Sequence, residues 1–358
     1  VISPWNEQTQ TAAETKSEDR KGQVMNQEIT IRQAQESDKN RIREIAGLAW
    51  HGQGAGWFLQ QKYGLIGGKT YIDWMWPSIE IKFKTMPQWV LVSEVGCEIA
   101  GFVCLVLFPE RQTARIGYNA VDPKFRGMGL GKKQITHIMD IFYREKMKFA
   151  EVVVDQDEGH TAARKVYGSF GFEPTVILEM RYGEVSKVPP PQSTGNLKFR
   201  PAVDADAPFV KDALATAQKG WHKYSVVEAR YGIVGGRSWV EWMWQDCQNE
   251  LKGDWSRVLI VEKGGQRAGA LVYGLSHDNQ MGQVQSISLL PSVKNNEIIP
   301  TCIGGIADIF RQKNVPYWEL DSLLTTDGAR QIPVEVCKNC GLEDNAVVAR
   351  GEYRFRQL

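Results

Sequence analysis

The chain lacks several features that would assign it to a class at once. No apolar run reaches the roughly 18 residues that a membrane span needs, which argues against an integral membrane protein. Its 43 Lys and Arg nearly balance 42 Asp and Glu, so no overall charge predicts binding to nucleic acid or to a membrane surface. Six cysteines in 358 residues exclude a disulfide-built scaffold and suit a reducing compartment. What is present is 42% hydrophobic residues, enough for two domain cores.

The cysteine spacing and the first residues add two expectations. Cys337 and Cys340, in CKNC, lack the second ligand pair of a zinc site, so no metal is expected. Residues 1–27 are polar and contain no apolar signal core, and we expect a disordered segment or a remnant foreign to the native chain. Together these features predict a cytoplasmic protein.

An internal repeat organises the rest of the chain. KYGLIGGKTYIDWMW at 62–76 recurs as RYGIVGGRSWVEWMW at 230–244, an offset of 168 residues, and the same offset relates ITIR at 29–32 to LKFR at 197–200. Residues 183–196 include three prolines and small polar residues, which is typical of a semi-rigid linker. We therefore predict two tandem domains, 28–182 and 197–358, joined by a Pro-rich linker at 183–196.

The pattern of apolar and turn residues in the first copy predicts the order β-α-α-β-β-β-α-β-α-β. The strand-like runs include 89–94 and 99–108, which flank a hairpin turn, and the valine-rich run 148–155. Strands interleaved with helices in this way predict an α/β (α+β) fold in each copy. Each would be a mixed, mostly antiparallel, twisted sheet flanked by helices.

A glycine-rich loop, RGMGLGKK at 126–133, is the clearest chemical motif. Its G-x-G-x-G spacing fits neither the G-x-x-x-x-G-K-[ST] phosphate loop nor the G-x-G-x-x-G dinucleotide fingerprint. Its position before a predicted helix still favours anions, because glycine admits close backbone approach and the helix N-terminus carries partial positive charge. Lys124, Lys132 and Lys133 add local charge. We expect a pyrophosphate cradle.

A second motif, HTAARKVYGSFGF at 160–172, gives the loop its context. Arg126, Gly129 and Gly131 match the [QR]-x-x-G-x-[GA] motif of the GCN5-related N-acetyltransferase (GNAT) superfamily. Ala163, Tyr167 and Gly171-Phe172 match a second motif of that superfamily, although His160 stands where Asn is common. The chain therefore resembles a tandem GNAT protein, by motif over 28–182 and through the repeat over 197–358.

The resemblance implies acetyl-CoA as co-substrate and direct attack of an amine on its thioester. It implies that a backbone N–H near Val121 polarises the thioester carbonyl and that Tyr167 protonates the departing thiolate. An ordinary core tyrosine is the alternative for Tyr167. The cofactor-binding residues implied are Tyr118, Asn119, Ala120, Val121, Arg126, Gly127, Met128, Gly129, Leu130, Gly131, Lys132, Lys133, His160 and Ala163.

The general base stays open at the level of sequence. A glutamate used by the histone-acetylating branch of the superfamily corresponds to Arg115 here, so that role does not transfer. A water relay is one alternative. The residue candidates are Asp155, Asp157, Glu158, His51 and Glu80.

The second copy has lost the motif residues. The loop at 126–131 corresponds to KNNEII at 294–299, where the glycines are gone and Glu297 adds a negative charge. Tyr167 corresponds to Cys337, and Ala163 to Pro333, which is unfavourable inside a helix. We expect one acetyl-CoA site, in the first copy, and a degenerate GNAT domain at 197–358.

Ten of twelve tryptophans fall in two equivalent windows, 50–89 and 221–255. Packing is the simpler interpretation of Trp74, Trp76, Trp242 and Trp244. The alternative places some of them in an acceptor cleft. The acidic residues of such a cleft would be Asp73, Glu80, Glu241 and Glu250.

The expected function is acetyl transfer to a primary amine of a small cationic molecule or peptide. Tandem GNAT proteins with one inactive copy include antibiotic self-resistance enzymes of the paenilamicin, edeine and zwittermicin type. Mycothiol synthase is also tandem, but its C-terminal copy is the active one. The alternatives are a protein or peptide N-acetyltransferase and a non-catalytic CoA-sensing or scaffold module. We expect no nucleic-acid or membrane partner, and a monomer or homodimer.

Overall fold

The fold was obtained as a computed structural model that describes residues 28–191, 196–293, 297–342 and 347–358. These residues form two compact units. Unit 1 comprises 28–51, 75–106 and 116–145, and unit 2 comprises 52–74, 107–115 and 146–358. The predicted disordered segment, 1–27, lies outside the described residues. No helix within the described ranges is long and apolar enough to cross a bilayer.

The first copy has six strands and five helices in the described residues. The strands are β1 (Ile29–Gln33), β2 (Val90–Val95), β3 (Glu98–Phe108), β4 (Thr113–Val121), β5 (Phe149–Asp155) and β6 (Glu173–Glu184). The helices are α1 (Lys39–Ala49), α2 (Gly54–Tyr63), α3 (Tyr71–Thr85), α4 (Leu130–Arg144) and α5 (Thr161–Ser169).

The second copy repeats this order. Its strands are β7 (Leu197–Pro201), β8 (Val258–Lys263), β9 (Gln266–Leu275), β10 (Met281–Leu289), β11 (Tyr317–Thr325) and β12 (Val347–Gln357). Its helices are α6 (Ala207–Gln218), α7 (Lys223–Tyr231), α8 (Trp239–Leu251), α9 (Ile298–Gln312) and α10 (Val334–Asn339).

Helix α2 corrects the predicted element order, because three helices precede β2 rather than two. Its sequence, GAGWFLQQKY, contains two glycines and has no clear apolar stripe, so periodicity gave no helical signal. Leu59 is its one buried residue. Packing, rather than intrinsic propensity, therefore stabilises this helix.

Unit 1 is built on an antiparallel meander of β1, β2, β3 and the second half of β4. Ile29 pairs with Val95 across β1 and β2, and Val90 pairs with Cys104 across β2 and β3. One apolar face of α4 is buried. Its buried apolar residues are Leu130, Ile135, Ile138, Met139, Ile141 and Phe142.

Unit 2 contains an eight-stranded sheet in the order β5-β12-β6-β11-β10-β9-β8-β7. The last strands of the two copies are exchanged. β12 of the second copy pairs with β5 of the first, with Phe355 opposite Glu151, and β6 of the first copy pairs with β11 of the second, with Tyr182 opposite Glu319. Each copy therefore supplies the strand that lies beside the other copy's fifth strand.

Most of the predicted linker lies within the described residues. β6 continues through Glu184, two residues beyond the predicted domain end, because both residues pair with β11. Val185 and Val188 are buried in the apolar core of the second copy. Of the predicted linker, 192–195 lie outside the described residues. The domain boundaries themselves stay predictions.

The repeated YG-x-x-GG segments adopt the same turn in both copies. Gly67 and Gly68 have φ of 59° and 72°, and Gly235 and Gly236 have φ of 61° and 75°, which is the left-handed region that only glycine adopts without strain. The indole of Trp74 donates to the carbonyl of Ile66 at 3.2 Å, and Trp242 donates to Val234 at 2.7 Å. The 168-residue offset thus relates equivalent positions in space.

Candidate functional site

The glycine loop of unit 1 leads directly into α4. Gly127 and Gly129 have φ of 85° and 78°, and Gly129 precedes the helix without a side-chain cap. A Cβ added at Gly127, Gly129 or Gly131 would meet nothing within 4 Å. The glycines are therefore needed for backbone conformation and leave the loop surface open. The first amides of α4 have no acceptor within the helix and are available to an anion.

The base of the loop is held rigidly. The Arg126 guanidinium donates to the carbonyl of Ala49 at 3.1 Å. Asp122 accepts from the Lys124 amide at 2.9 Å and forms an ion pair with Arg41. Phe125 and Leu130, at either side of the glycines, are buried in one cluster with Val95 and Ala100. The loop is thus anchored on both sides while its glycines stay exposed.

Of the three predicted loop lysines, two are free to face an anion. Lys124 is ion-paired with Glu98 in this structure. Lys132 and Lys133 are exposed in the first turn of α4, close to the helix N-terminus. Local positive charge therefore comes from Lys132, Lys133 and the helix dipole.

The predicted pantetheine strand is the last part of β4. Tyr118 and Asn119 are half-buried, Ala120 is buried and Val121 is half-buried. Tyr118 packs edge-on against Trp50, with ring centroids 5.9 Å apart, and burial raises the pKa of its hydroxyl. This segment therefore has a fixed side-chain environment at the strand end.

Tyr167 lies on α5 in unit 2. It is 6% exposed, and it packs edge-on against Phe172 with centroids 5.8 Å apart. Ala163 lies one turn earlier on the same helix. The phenol has no hydrogen-bond partner in the part of the chain that the structure describes. Burial raises its pKa above the usual range, so the hydroxyl keeps its proton at neutral pH, as an acid must.

His160 begins α5 and is tied to Asp157. Its Nδ1 lies 2.6 Å from Asp157 Oδ1, and its amide donates to the same oxygen at 3.0 Å. Asp157 also accepts from the Gly54 amide at 2.9 Å. Burial acts to raise the pKa of Asp157, but these hydrogen bonds outweigh it and lower the pKa. Asp157 and His160 therefore form a structural pair.

One set of metal-ligating groups is present among the described residues. Ligand atoms of Asp155, Asp157 and His160 lie within 4.8 Å of one another. The sequence predicted no metal, and spacing alone does not require one. Two of these three groups already satisfy each other.

Asp155 is the candidate base best suited to proton transfer. It ends β5 and lines a cavity of about 230 Å³ with Ala55, Asp157 and Arg350. Its carboxylate has no hydrogen-bond partner within the described ranges, while burial, reinforced by Asp157, raises its pKa. The other candidates differ from it: Glu158 and His51 are exposed, and Glu80 lies 4.0 Å from Lys39.

The second copy differs at each corresponding position that the structure describes. Glu297, in right-handed conformation with φ of −83°, precedes α9 where Gly129 precedes α4. The residues 294–296 lie outside the described part of the chain. Leu342 donates to the carbonyl of Cys337 at 3.1 Å, as Phe172 does to Tyr167, which supports their equivalence. Cys337 is buried, and it lacks the phenol hydroxyl that Tyr167 has.

In the two tryptophan-rich windows, the tryptophans mostly pack in apolar cores and the acidic residues cap helices. Trp242 is buried, and Trp244 packs against Trp255 in the apolar core. Asp73 accepts from the Thr70 amide at 3.0 Å, and Glu241 from the Ser238 amide at 2.8 Å, so both cap their helices. Trp74 differs, because it lines a second cavity, of about 240 Å³.

A buried charge cluster in unit 2 was not predicted from the sequence. Glu151, on β5, lies 2.6 Å from Arg115 Nε and 3.1 Å from Lys223 Nζ. Burial acts to raise the pKa of Glu151, but the two cations outweigh it and hold that pKa at about 2. Burial and Arg115 lower the pKa of Lys223 to about 8. The lowered pKa values of Glu151 and Lys223 both follow because two buried cations share one anion. The three residues are far apart in sequence, and no local motif signals that they meet.

Comparison with known proteins defines the class. Residues 57–172, which contain both the loop and Tyr167, match the Acetyltransferase (GNAT) family. No curated protein sequence matches the chain significantly. The match lies in the first copy, and it supports an acyltransferase.

Solved structures support the tandem fold. A GCN5-related N-acetyltransferase from Sphaerobacter thermophilus is 14% identical with a TM-score of 0.64, covering 92% of this chain and 95% of that one. A tandem GNAT protein from the clavulanic acid biosynthesis pathway is 13% identical with a TM-score of 0.52, covering 92% and 98%. A glucosamine N-acetyltransferase region of a fungal multi-domain GH3 beta-N-acetylglucosaminidase has 11% identity and a TM-score of 0.59, covering 91% of this chain and 38% of that one. The predicted fold class is confirmed: the chain has the fold of a tandem GNAT protein.

Proposed function

We propose that the protein is an acetyl-CoA-dependent N-acetyltransferase whose acceptor is a primary amine of a small cationic molecule or peptide. The observation that carries this proposal is the Arg126–Gly131 loop. Gly127 and Gly129 are left-handed, the loop surface is open, and the loop presents uncapped amides at a helix N-terminus. These are the properties that a pyrophosphate-binding loop needs.

Three groups would carry the chemistry. The amide near Val121 would stabilise the developing oxyanion, as the family resemblance implies. Tyr167, neutral because it is buried, would protonate the leaving thiolate. Asp155 would accept the proton that the acceptor amine loses as its nitrogen attacks the thioester, since its raised pKa makes it a stronger base than an ordinary carboxylate.

The acceptor class is supported by charge. Asp155 and Asp157 line the same cavity, and Arg350 beside them is engaged by Glu179 at 2.7 Å. Anionic groups at a cavity attract a cationic substrate. Amine antibiotics belong to this chemical class, and their inactivation is one form that the function would take.

Replacing Tyr167 by Phe tests the acid. We expect kcat to fall about 100-fold or more, because the proton donor is removed while the ring still packs on Phe172. Acetyl-CoA affinity should stay nearly unchanged. The measurement is steady-state kinetics with calorimetry, and Tyr143→Phe, at an exposed tyrosine, is the control. An unchanged kcat would remove Tyr167 from the mechanism.

Replacing Asp155 by Asn tests the base through pH dependence. In the wild type, kcat/KM should fall on the acidic side as Asp155 becomes protonated, and the raised pKa places this fall at higher pH than for an ordinary aspartate. The variant should lose about 100-fold in rate together with that acidic limb. Glu158→Gln, an exposed neighbour, should keep both. Persistence of the same limb in Asp155→Asn would assign it to another group.

The substrate is identified by acetylation of an amine panel with acetyl-CoA, followed by mass spectrometry. Polyamines, aminoglycosides and cationic peptides should include an acceptor that gains one acetyl group per transfer. A chain that binds acetyl-CoA but acetylates no amine of this panel would contradict the proposed function.

A further inference from the structure

The two copies place equivalent helices, α2 and α7, in equivalent environments within unit 2. Gln60 of α2 accepts from the Tyr71 amide at 2.7 Å, and Glu228 of α7 accepts from the Trp239 amide at 2.6 Å. Both pairs are related by the 168-residue offset, as are the carboxylates Glu151 and Glu319 on the fifth strands. The surroundings of these two glutamates can therefore be compared position by position.

At Glu151 the environment is filled. Arg115 donates to Oε1 at 2.6 Å, and the Lys223 ammonium lies 3.1 Å from Oε2. That ammonium also lies over the rings of Tyr224 and Tyr353, 4.6 and 5.2 Å from their centroids. An alkylammonium, a carboxylate and aromatic rings together form a complete buried cation site.

At Glu319 the same environment lacks its cation. Gln283 stands where Arg115 does and donates to Glu319 Oε1 at the same distance, 2.6 Å. Ala55 stands at the position of Lys223 and Gly56 at that of Tyr224. No Lys, Arg or His nitrogen lies within 4 Å of the Glu319 carboxylate in the part of the chain that the structure describes. Because Ala55 and Gly56 are smaller than Lys223 and Tyr224, a space is left beside Glu319.

That space is the cavity of about 240 Å³, which lies within unit 2. Ala55, Gly56 and Glu319 line it together with the aromatic side chains of Tyr71, Trp74 and Tyr182. Lys69 also lines the cavity, but its ammonium is paired with Asp278 at 2.5 Å. The walls are thus mostly aromatic and apolar, and among the described residues the Glu319 carboxylate lacks a counter-ion.

A neighbouring carboxylate strengthens the demand for a cation. Asp321 Oδ1 is buried without a hydrogen-bond partner, and Oδ2 accepts from Gln283 at 3.2 Å. Burial and the nearby Glu319 raise the pKa of Asp321 well above its usual range. Asp321 therefore tends to stay protonated, which leaves Glu319 as the carboxylate that a bound cation would neutralise.

We propose that this cavity binds the terminal ammonium of a linear aliphatic amine, seated against Glu319 as the Lys223 side chain is seated against Glu151. The four-carbon stem of lysine indicates the chain length that fits. Ala55 also lines the cavity that contains Asp155, so a second amine of the same molecule would reach that carboxylate. The substrate class is therefore a linear diamine or polyamine. Its role as acetyl acceptor rests on the proposed function, whereas its binding does not.

Calorimetry without acetyl-CoA tests the binding alone. The probes are 1,4-diaminobutane, n-butylamine and n-butanol, and we expect both amines to bind and n-butanol to bind much more weakly. Ala55→Lys places the protein's own ammonium in the cavity, as in the other copy. It should weaken amine binding by at least about thirtyfold. Gln61→Lys, on the exposed face of the same helix, adds the same charge and should leave binding intact.

Glu319→Gln gives the second arm, because it removes the charge without filling the space. It should also weaken binding by at least about thirtyfold. Thermal melts verify folding of each variant, and if one fails to fold, the other carries the test. Equal binding of butanol and butylamine, or unchanged amine binding in a folded variant, would overturn the inference. Amine binding without acetylation would support the inference and count against the proposed function. If Ala55→Lys acetylates the diamine with an unchanged KM, the proposed function would be supported and the inference on amine binding contradicted.

Discussion

Gly129→Glu should abolish acetyl-CoA binding, with a loss of at least about 100-fold in affinity, since juxtaposed like charges cost several kcal/mol. The glutamate would stand immediately before α4, where Glu297 stands before α9 in the second copy. Its carboxylate would oppose the pyrophosphate at the helix N-terminus. A Cβ at this position meets no atom within 4 Å, so the fold should survive with only the strain of a positive φ, about 1–2 kcal/mol.

Calorimetric titration with acetyl-CoA measures this loss and counts the sites. The wild type should bind one acetyl-CoA per chain, because the second copy has no glycine loop. Gly52→Glu is a matched control, since Gly52 also has a positive φ, 79°, and open space around its Cβ position. It should incur the same strain and keep acetyl-CoA binding. Two equal sites in the wild type, or tight binding by Gly129→Glu, would contradict the single-site assignment.

Glu151→Gln should destabilise the protein by about 3–5 kcal/mol, because it leaves Arg115 and Lys223 buried with no anion between them. The equivalent change in the other copy, Glu319→Gln, should cost less than about 1 kcal/mol, since the hydrogen-bond partners of Glu319, which are Gln283, Tyr182 and Asp321, include no cation that would be left unpaired. Urea denaturation of both variants at equal m-value gives the comparison. Similar losses at both positions would show that the two glutamates are equivalent in charge environment after all.

The same glutamate predicts acid sensitivity. The pKa of Glu151 is about 2 in the folded protein and near 4.5 when exposed, so its contribution is complete above about pH 4.5. That contribution should be lost progressively as the pH falls from about 5 towards 2. Glu151→Gln should therefore show a shallower decline of stability over this range than the wild type.

The sequence predicts what depends on local rules. The glycine spacing at 126–131, the Tyr167 motif and the 168-residue repeat were sufficient for the fold class, which the comparisons confirm. Strand bounds such as β5 fell within a residue or two of prediction, because valine-rich runs between turns have one interpretation.

Features that depend on the other copy were beyond sequence reasoning. β6 and β12 have the same alternation whether they pair within a copy or across copies, so periodicity cannot reveal the exchange. Asp73 was considered for an acceptor cleft, but it caps its own helix. The cavity at Glu319 depends on Ala55, which lies 264 residues away in sequence. Nothing local to either residue signals that they meet.

The strand exchange gives part of the second copy a structural role in the sheet of the first copy. β12 lies between β5 and β6 and is hydrogen-bonded to both. The strand that carries Asp155 is therefore bordered by a strand of the second copy. The KNNEII segment of the second copy is not part of that border. The eleven residues of β12 are part of it, so the second copy supplies a strand of the sheet that carries Asp155.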